Sequence, residues 1–170
     1  LGLPLVVVGD GPERKRLEAL AGPTVTLLGR QSQVQVEALM SSCRAFVYAG
    51  LEDFGIAPVE AMAAGAPVIG LGRGGLLDTV RCATTGLEQA TGVLFPDQSV
   101  RSLVEAVSWF EQKRIWRQLD AAEIRQWAER FRPEAFKARF EATLRQAWTA
   151  HQSRCAVAAS DPAGMSALQL

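Results

Sequence analysis

Among its 170 residues the chain has one histidine, one tyrosine and three cysteines, and each scarcity removes a class of chemistry. His151 stands alone near the C-terminal end, which argues against histidine-based catalysis and against a zinc centre. Cys43, Cys82 and Cys155 lie far apart and form no metal-type or redox pair, a usage that suits a reduced, cytosolic compartment. No apolar run approaches the roughly 20 residues needed to span a bilayer. Charge of one sign is also missing. The 18 basic and 18 acidic residues cancel, so there is no sign of a general nucleic-acid or membrane surface. The opening "LGLPLVVVGDGP" has neither Met nor a basic n-region, and reads as neither a signal peptide nor a natural start.

What the sequence has instead is alternation. Leu5–Val8 is an apolar, β-branched run ending in "GDGP", and Pro12 opens a helix over Glu13–Leu20. Thr24–Leu28 is a second strand that stops at Gly29. Ser32 and Gln35 have capping-box spacing and start a helix to about Ser42. Ala45–Ala49 and Pro67–Leu71 read as further strands, with a short helix, Ala57–Ala64, between them. "GRGG", Gly72–Gly75, leads into a helix around Leu76–Thr84, and Gly92–Phe95 is a last strand. Val100–Phe110, Ala122–Phe131 and Pro133–Ala150 read as helices. Residues 1–150 are expected to form one domain, and 151–170, small and aperiodic, a disordered tail. The pattern predicts an α/β, Rossmann-like parallel sheet with helices on both faces. Ligands of such sheets bind beyond the carboxyl ends of the strands. "GDGP", "GRQS", the Glu52 loop and "GRGG" each follow a strand, and are expected along one edge.

One stretch carries most of the chemistry: "GLEDFGIAPVEAMAAGAPVIG", Gly50–Gly70. Pro58 suits the first helical position and Gly65 a left-handed terminator, which puts Glu52 in a loop and Glu60 in a first helical turn. Gly55 lets a ligand approach the backbone closely. Amides near Ile56, Ala57 and Val59 can face a phosphate at the helix start. A carboxylate such as Glu60 can accept both hydroxyls of a ribose, and Glu52 those of a hexose. One loop can thus hold every part of a nucleotide sugar except the base.

Each feature also has a plainer reading. "GDGP" lacks the third glycine of a dinucleotide fingerprint and can be a tight strand-to-helix turn. Glu60 can merely complement the helix dipole, and Arg73 of "GRGG" can be a solvated charge. Trp109, Phe110, Trp116, Trp127, Phe131, Phe136, Phe140 and Trp148 read as core and interface filling. Lys113, Arg114 and Arg117 read as a solvated helix face.

The combination is more specific than its parts. "EDFGIAPVE" with "AMAAGAPVI" and "GRGG" resembles the E-x7-E segment of the retaining family 4 glycosyltransferases, which have the GT-B fold. "VVVGDGPERKRLEALA", "VTLLGR", "RAFVYAGLEDFGI", "GGLLDTV", "TGVLFPDQSVRSLVEAV" and "IRQWAERF" extend the likeness from about Leu3 to about Trp148, along the family's donor-binding C-terminal half. "EDFGIAPVEA" and "FPDQSV" are most similar to bacterial mannosyltransferases that use GDP-mannose for polysaccharide or O-antigen synthesis.

The resemblance implies roles. Glu60 would hold the nucleotide ribose, and Glu52 would lie beside the donor sugar as the catalytic residue. The turn amides of Phe54, Gly55 and Ile56 would contact sugar and phosphate, with Asp53 and Val59 beside them. Gly29 and Arg30 would line the base. The family needs no metal, so no cofactor is expected, and the sequence has no Asp-x-Asp-type motif. The partners implied are GDP-mannose and a glycan or lipid-linked acceptor, the latter bound by an N-terminal domain not represented here. The expected place is the cytoplasm, peripheral to the inner membrane face through that domain.

Three departures modify this picture. The family's donor domain begins with one more strand and helix, bearing the Arg and Lys that grip the diphosphate; here they are missing. In a 3-2-1-4-5-6 sheet that strand lies centrally, between Leu5–Val8 and Ala45–Ala49, and its absence leaves unpaired amides and a gap in the core. The chain therefore reads as a fragment or a truncated product. The Ser common before the first glutamate is also replaced, around Ala49 and Gly50. A catalytically inactive nucleotide-binding or interaction module is the alternative to an enzyme half. A nucleotide-sugar epimerase is ruled out, because Tyr48 is followed at the fourth position by Glu52 and not by lysine.

Overall fold

Residues 1–160 are described by a computed structural model, in which the chain forms two compact units, Leu1–Glu129 and the part from Arg130 onward. The first contains β1 (Leu5–Val8), α1 (Arg14–Leu20), β2 (Val25–Gly29), α2 (Gln33–Ser42), β3 (Phe46–Tyr48) and α3 (Ile56–Ala63). It continues with β4 (Val68–Leu71), α4 (Leu76–Thr79), β5 (Gly92–Phe95), α5 (Val100–Gln112), a 3-10 turn at Ile115–Arg117 and α6 (Ala121–Ala128). Every strand pairing is parallel, as crossover helices between successive strands require.

The ladder is in two pieces. β1 pairs with β2, and β3, β4 and β5 form a separate sheet in that order, with no ladder joining the pieces among the described residues. This agrees with the sequence expectation that a continuous sheet would need another strand between Leu5–Val8 and Ala45–Ala49. β4 is central to the larger piece and wholly buried. Its alternating side chains serve both faces. Ile69 and Leu71 join Phe95, Phe110 and Ile115 on one side. Val68 joins Met62, Leu76 and Ile124 on the other.

Several element boundaries differ from expectation, each for a visible reason. α3 begins at Ile56, with Gly55 as its N-cap at φ +83°, so Pro58 is the third helical residue and not the first. Its missing N–H costs nothing there, because the first four helical amides have no intrahelical partner. Glu60 consequently falls in the second turn. At the other end Gly65 does terminate the helix: its N–H bonds to Met62 O and that of Ala66 to Ala61 O, the paired bonds of a Schellman cap. The helix expected over Leu76–Thr84 is a single turn. From Val80 the backbone is extended, and Arg81 to Ala83 bond instead to Thr91 and Gly92 at the start of β5. The capping box is present, Ser32 and Gln35 each bonding the other's backbone N–H.

The second unit is a helix, α7 (Pro133–Ser160). It runs ten residues past the expected end at Ala150, so the tail expected to be disordered is helical through Ser160. Its composition explains this: no glycine or proline interrupts the chain between Ala150 and Ser160, and alanine is the best helix former. The remainder of that expectation, 161–170, lies outside the described residues. No described helix is long and apolar enough to cross a membrane. The aromatic series divides. Phe110 is buried, with Trp109, Trp116 and Trp127 packed against the core clusters. Phe136, Phe140 and Trp148 are exposed on α7.

Candidate active site

β3, β4 and β5 are parallel neighbours, so the loops after them emerge together at one edge of the sheet. The loop after β3 carries Glu52, that after β4 is "GRGG", and that after β5 begins with Pro96 and Asp97. They are tied to one another. The Gly75 N–H donates to the Glu52 carbonyl at 2.7 Å. Gln98 Nε2 donates to the Ala49 carbonyl at 3.0 Å. Arg73 reaches Pro96 O and the Asp97 carboxylate, both at 3.2 Å. The plain reading of Arg73 as a solvated charge is thus only half right: it is exposed, yet it links two loops. An exposed pair of this kind contributes at most about 1 kcal/mol.

Gly74 and Gly75 admit this closeness because they have no side chain. A Cβ on Gly74 would strike the Glu52 carbonyl oxygen, and one on Gly75 the Asp53 carbonyl oxygen and the Phe54 Cα. The neighbours in question are backbone, so no rotamer change could relieve the overlap. The Glu52–Phe54 backbone is therefore set by the β4 loop as well as by its own strand.

The Glu52 side chain is exposed, and its Oε1 accepts the Tyr48 hydroxyl at 2.5 Å. That bond, together with some burial and the carboxylate's charge, pushes the Tyr48 phenol up to about 12. Tyr48 is therefore a neutral donor at any physiological pH. Beyond it, Asp53, Phe54 and Ile56 are exposed, whereas Gly55 is buried. Among the α3 amides, that of Val59 already donates to the Gly55 carbonyl at 3.2 Å. Val59 was expected to face a phosphate; the helix itself takes its N–H. The amides of Ile56 and Ala57 lie before the first intrahelical bond and are the ones a ligand can use.

Residues 2–130 match the family described as "Glycosyl transferases group 1". The chain belongs to the group 1 glycosyl transferases. Over 93 residues it is 39% identical to a 2-deoxystreptamine glucosyltransferase of Streptomyces kanamyceticus, a stretch covering 51% of this chain and 24% of that protein. Over 86 residues it is 40% identical to a GDP-mannose-dependent alpha-mannosyltransferase of Mycolicibacterium smegmatis, covering 50% of this chain and 23% of that one. The matched stretch is thus about a quarter of the length of these curated relatives. Among solved structures it is similar to sucrose-phosphate synthase from Thermosynechococcus elongatus, with a TM-score of 0.68 at 29% identity over 86% of this chain and 39% of that one. Anabaena HepE in complex with UDP and glucose shares the fold alone, with a TM-score of 0.65 at 21% identity over 83% and 40% of the two chains. These likenesses bear out the expected α/β, Rossmann-like fold, which the GT-B glycosyltransferases share.

Within this glycosyl transferase domain the structure gathers only some of the expected site residues. Glu52, Asp53, Phe54, Gly55 and Ile56 form one loop against "GRGG". Glu60 follows on α3, exposed and without a side-chain partner among the described residues. Its second-turn position weakens the reading as a helix-dipole complement, since that effect fades within the first turn. Gly29 and Arg30 lie at the end of β2, in the smaller ladder, and no hydrogen bond joins them to the Glu52 loop among the described residues. Two participants were not expected from sequence: Tyr48 as a partner of Glu52, and Gly75 as the donor fixing its backbone. The Glu52-to-"GRGG" contact has no local signal, but the four-residue spacing of Tyr48 and Glu52 was open to notice. A depression of about 470 Å³ lies between β5 and α5, with Pro96 and Asp97 in its lining, and includes neither glutamate.

Proposed function

We propose that this chain is the donor-binding part of a retaining hexosyltransferase that takes mannose from GDP-mannose and passes it to a polysaccharide or lipid-linked glycan acceptor. The observation that carries the reading is the construction of the Glu52 loop. Its carboxylate is presented at the end of a parallel strand, with the backbone held by Gly75 and one oxygen held by Tyr48. As the nucleoside diphosphate leaves, the anomeric carbon gains positive character, and fixed negative charge beside it favours the transition state over the ground state. Glu52 supplies that charge in this reading. Glu60 accepts the ribose hydroxyls, and the first amides of α3 face the diphosphate. Asp53, Phe54, Gly55 and Val59 shape the donor pocket, while Gly29 and Arg30 line the base.

Identity to a GDP-mannose-dependent relative supports the choice of donor. The reaction needs no metal in this reading, and the protein works in the cytoplasm, at the inner membrane face. The test uses the full-length product of the gene. Glu52→Gln should lower transfer from GDP-mannose by at least about tenfold, or about 1.4 kcal/mol of barrier, with affinity for free GDP nearly unchanged. Asp53→Asn should retain most of the rate. The reverse pattern would assign the chemistry to Asp53, and equal use of UDP-glucose would overturn the donor assignment.

A further inference from the structure

We propose that Tyr48 is a positioning residue for the reaction: its hydroxyl fixes the Glu52 carboxylate in one orientation, leaving the second oxygen for the donor hexose. This rests on the placement of Glu52 beside the sugar given above. The physical need is plain. Glu52 is exposed on a loop, and a glutamate side chain gives up rotamer freedom when it is fixed. A catalytic contact that must first find its rotamer is worth less than one already in place.

Tyr48 is built to supply that order. It is the last residue of β3, and its ring packs with Phe46, stacked at 6.4 Å and 15° between planes, against the cluster of Met62, Val68 and Leu76. The apolar body is anchored in the core while the hydroxyl emerges at the ligand edge, a division of labour the tyrosine side chain suits. The ring also turns back over the loop. A Cβ on Gly50 would come within 3.2 Å of its Cε1, Cζ and hydroxyl oxygen, so glycine at 50 makes room for this pose. The hydroxyl donates to Oε1, so the geometry commits one carboxylate oxygen and leaves Oε2 free to accept from a sugar hydroxyl.

The test is a double-mutant cycle in the full-length gene product with GDP-mannose as donor: wild type, Tyr48→Phe, Glu52→Gln and both together. Tyr48→Phe keeps the ring and its packing, and should lower kcat by about tenfold. The Kd for free GDP should stay close to wild type. In the Glu52→Gln background the same substitution should do almost nothing further, because the amide has lost the charge that Tyr48 orders. A merely structural tyrosine would cost the same in both backgrounds. That result overturns the proposal, as does a Tyr48→Phe enzyme of normal kcat beside a crippled Glu52→Gln. A fully active Glu52→Gln enzyme would overturn the Glu52 assignment itself and this role with it.

Discussion

The two strand ladders in this chain were written with similar residues and meet very different fates. β1 reads Leu-Val-Val-Val and β4 reads Val-Ile-Gly-Leu. In β4 every residue is buried; in β1 Leu5, Val6 and Val8 are exposed. The difference is not in the strands but in their company. β4 has a hydrogen-bonded neighbour on each side, α3 and α6 packed together over one face, and α5 against β5. β1 has a single neighbour, β2, and α1, which accompanies it, buries no residue at all. β-propensity and apolar content make a strand available; only packing partners make it stable.

The contrast gives its largest prediction in stability. Phe95, 2% exposed, packs with Phe110 and Leu71, so Phe95→Ala in the 170-residue chain should cost about 3–5 kcal/mol. Val6, 47% exposed in the smaller ladder, should lose under about 1 kcal/mol as Val6→Ala. Denaturant midpoints at constant m-value measure both. Amide exchange should agree, with β4 protected far longer than β1. Comparable costs at the two positions would erase the distinction. A larger Val6 cost in the full-length gene product would show that β1 is covered there.

The next effect, at about 1–3 kcal/mol, concerns how the well-packed region sets its loops. Gly75 has an ordinary helical φ of −62°, so Gly75→Ala meets no backbone strain. Its cost comes only from overlap with the Asp53 carbonyl and Phe54. The variant should melt lower and lose transfer activity together, because it displaces the Glu52 loop. A Gly75→Ala protein of unchanged melting temperature would mean that the β4 loop does not set the Glu52 backbone. Glu60→Ala should do the opposite. Exposed, and with no side-chain partner among the described residues, Glu60 should leave stability within about 0.5 kcal/mol. If it holds the ribose, GDP binding by the full-length product should weaken by about 1.5–3 kcal/mol, read by calorimetry. Unaltered affinity would end the ribose assignment.

Much of this was legible in the sequence. Alternation gave the α/β class, and β1 and β5 have their expected ends. Local chemistry is what reads best: Ser32 and Gln35 cap α2, and Gly65 closes α3. The failures are where distant partners compete. α4 ends earlier than its pattern predicts because Thr91 and Gly92, ten residues on, draw Arg81 to Ala83 into extended pairing. The Val59 amide differs from expectation because α3 starts one residue earlier, which turns a free donor into a bonded one. Glu52 itself could be found by motif, but what holds its backbone could not. Gly75 is 23 residues away, and nothing in the spelling of "GRGG" says which carbonyl its amide will meet.

The smallest effect belongs to the edge of the packed region, and the sequence makes it unusually clean to read. Tyr48 is the chain's one tyrosine, so phenolate absorbance of the 170-residue protein reports on it alone. The bond to Glu52 pushes the phenol up to about 12, against an ordinary value near 10 in the unfolded chain. The sign of the linkage follows. Between those values the unfolded state has lost the proton that the folded state keeps, so stability falls as pH rises. The contribution of this group is complete below about pH 10 and is gone once the folded phenol has itself ionised. Glu52→Gln removes the negative charge and should bring the midpoint down towards the ordinary value, with circular dichroism confirming that the fold persists over the titration. A midpoint unmoved by Glu52→Gln would show that burial, and not the carboxylate, holds the proton. The hydroxyl would then have no hold on Glu52, and the β3 end would be only another packed edge.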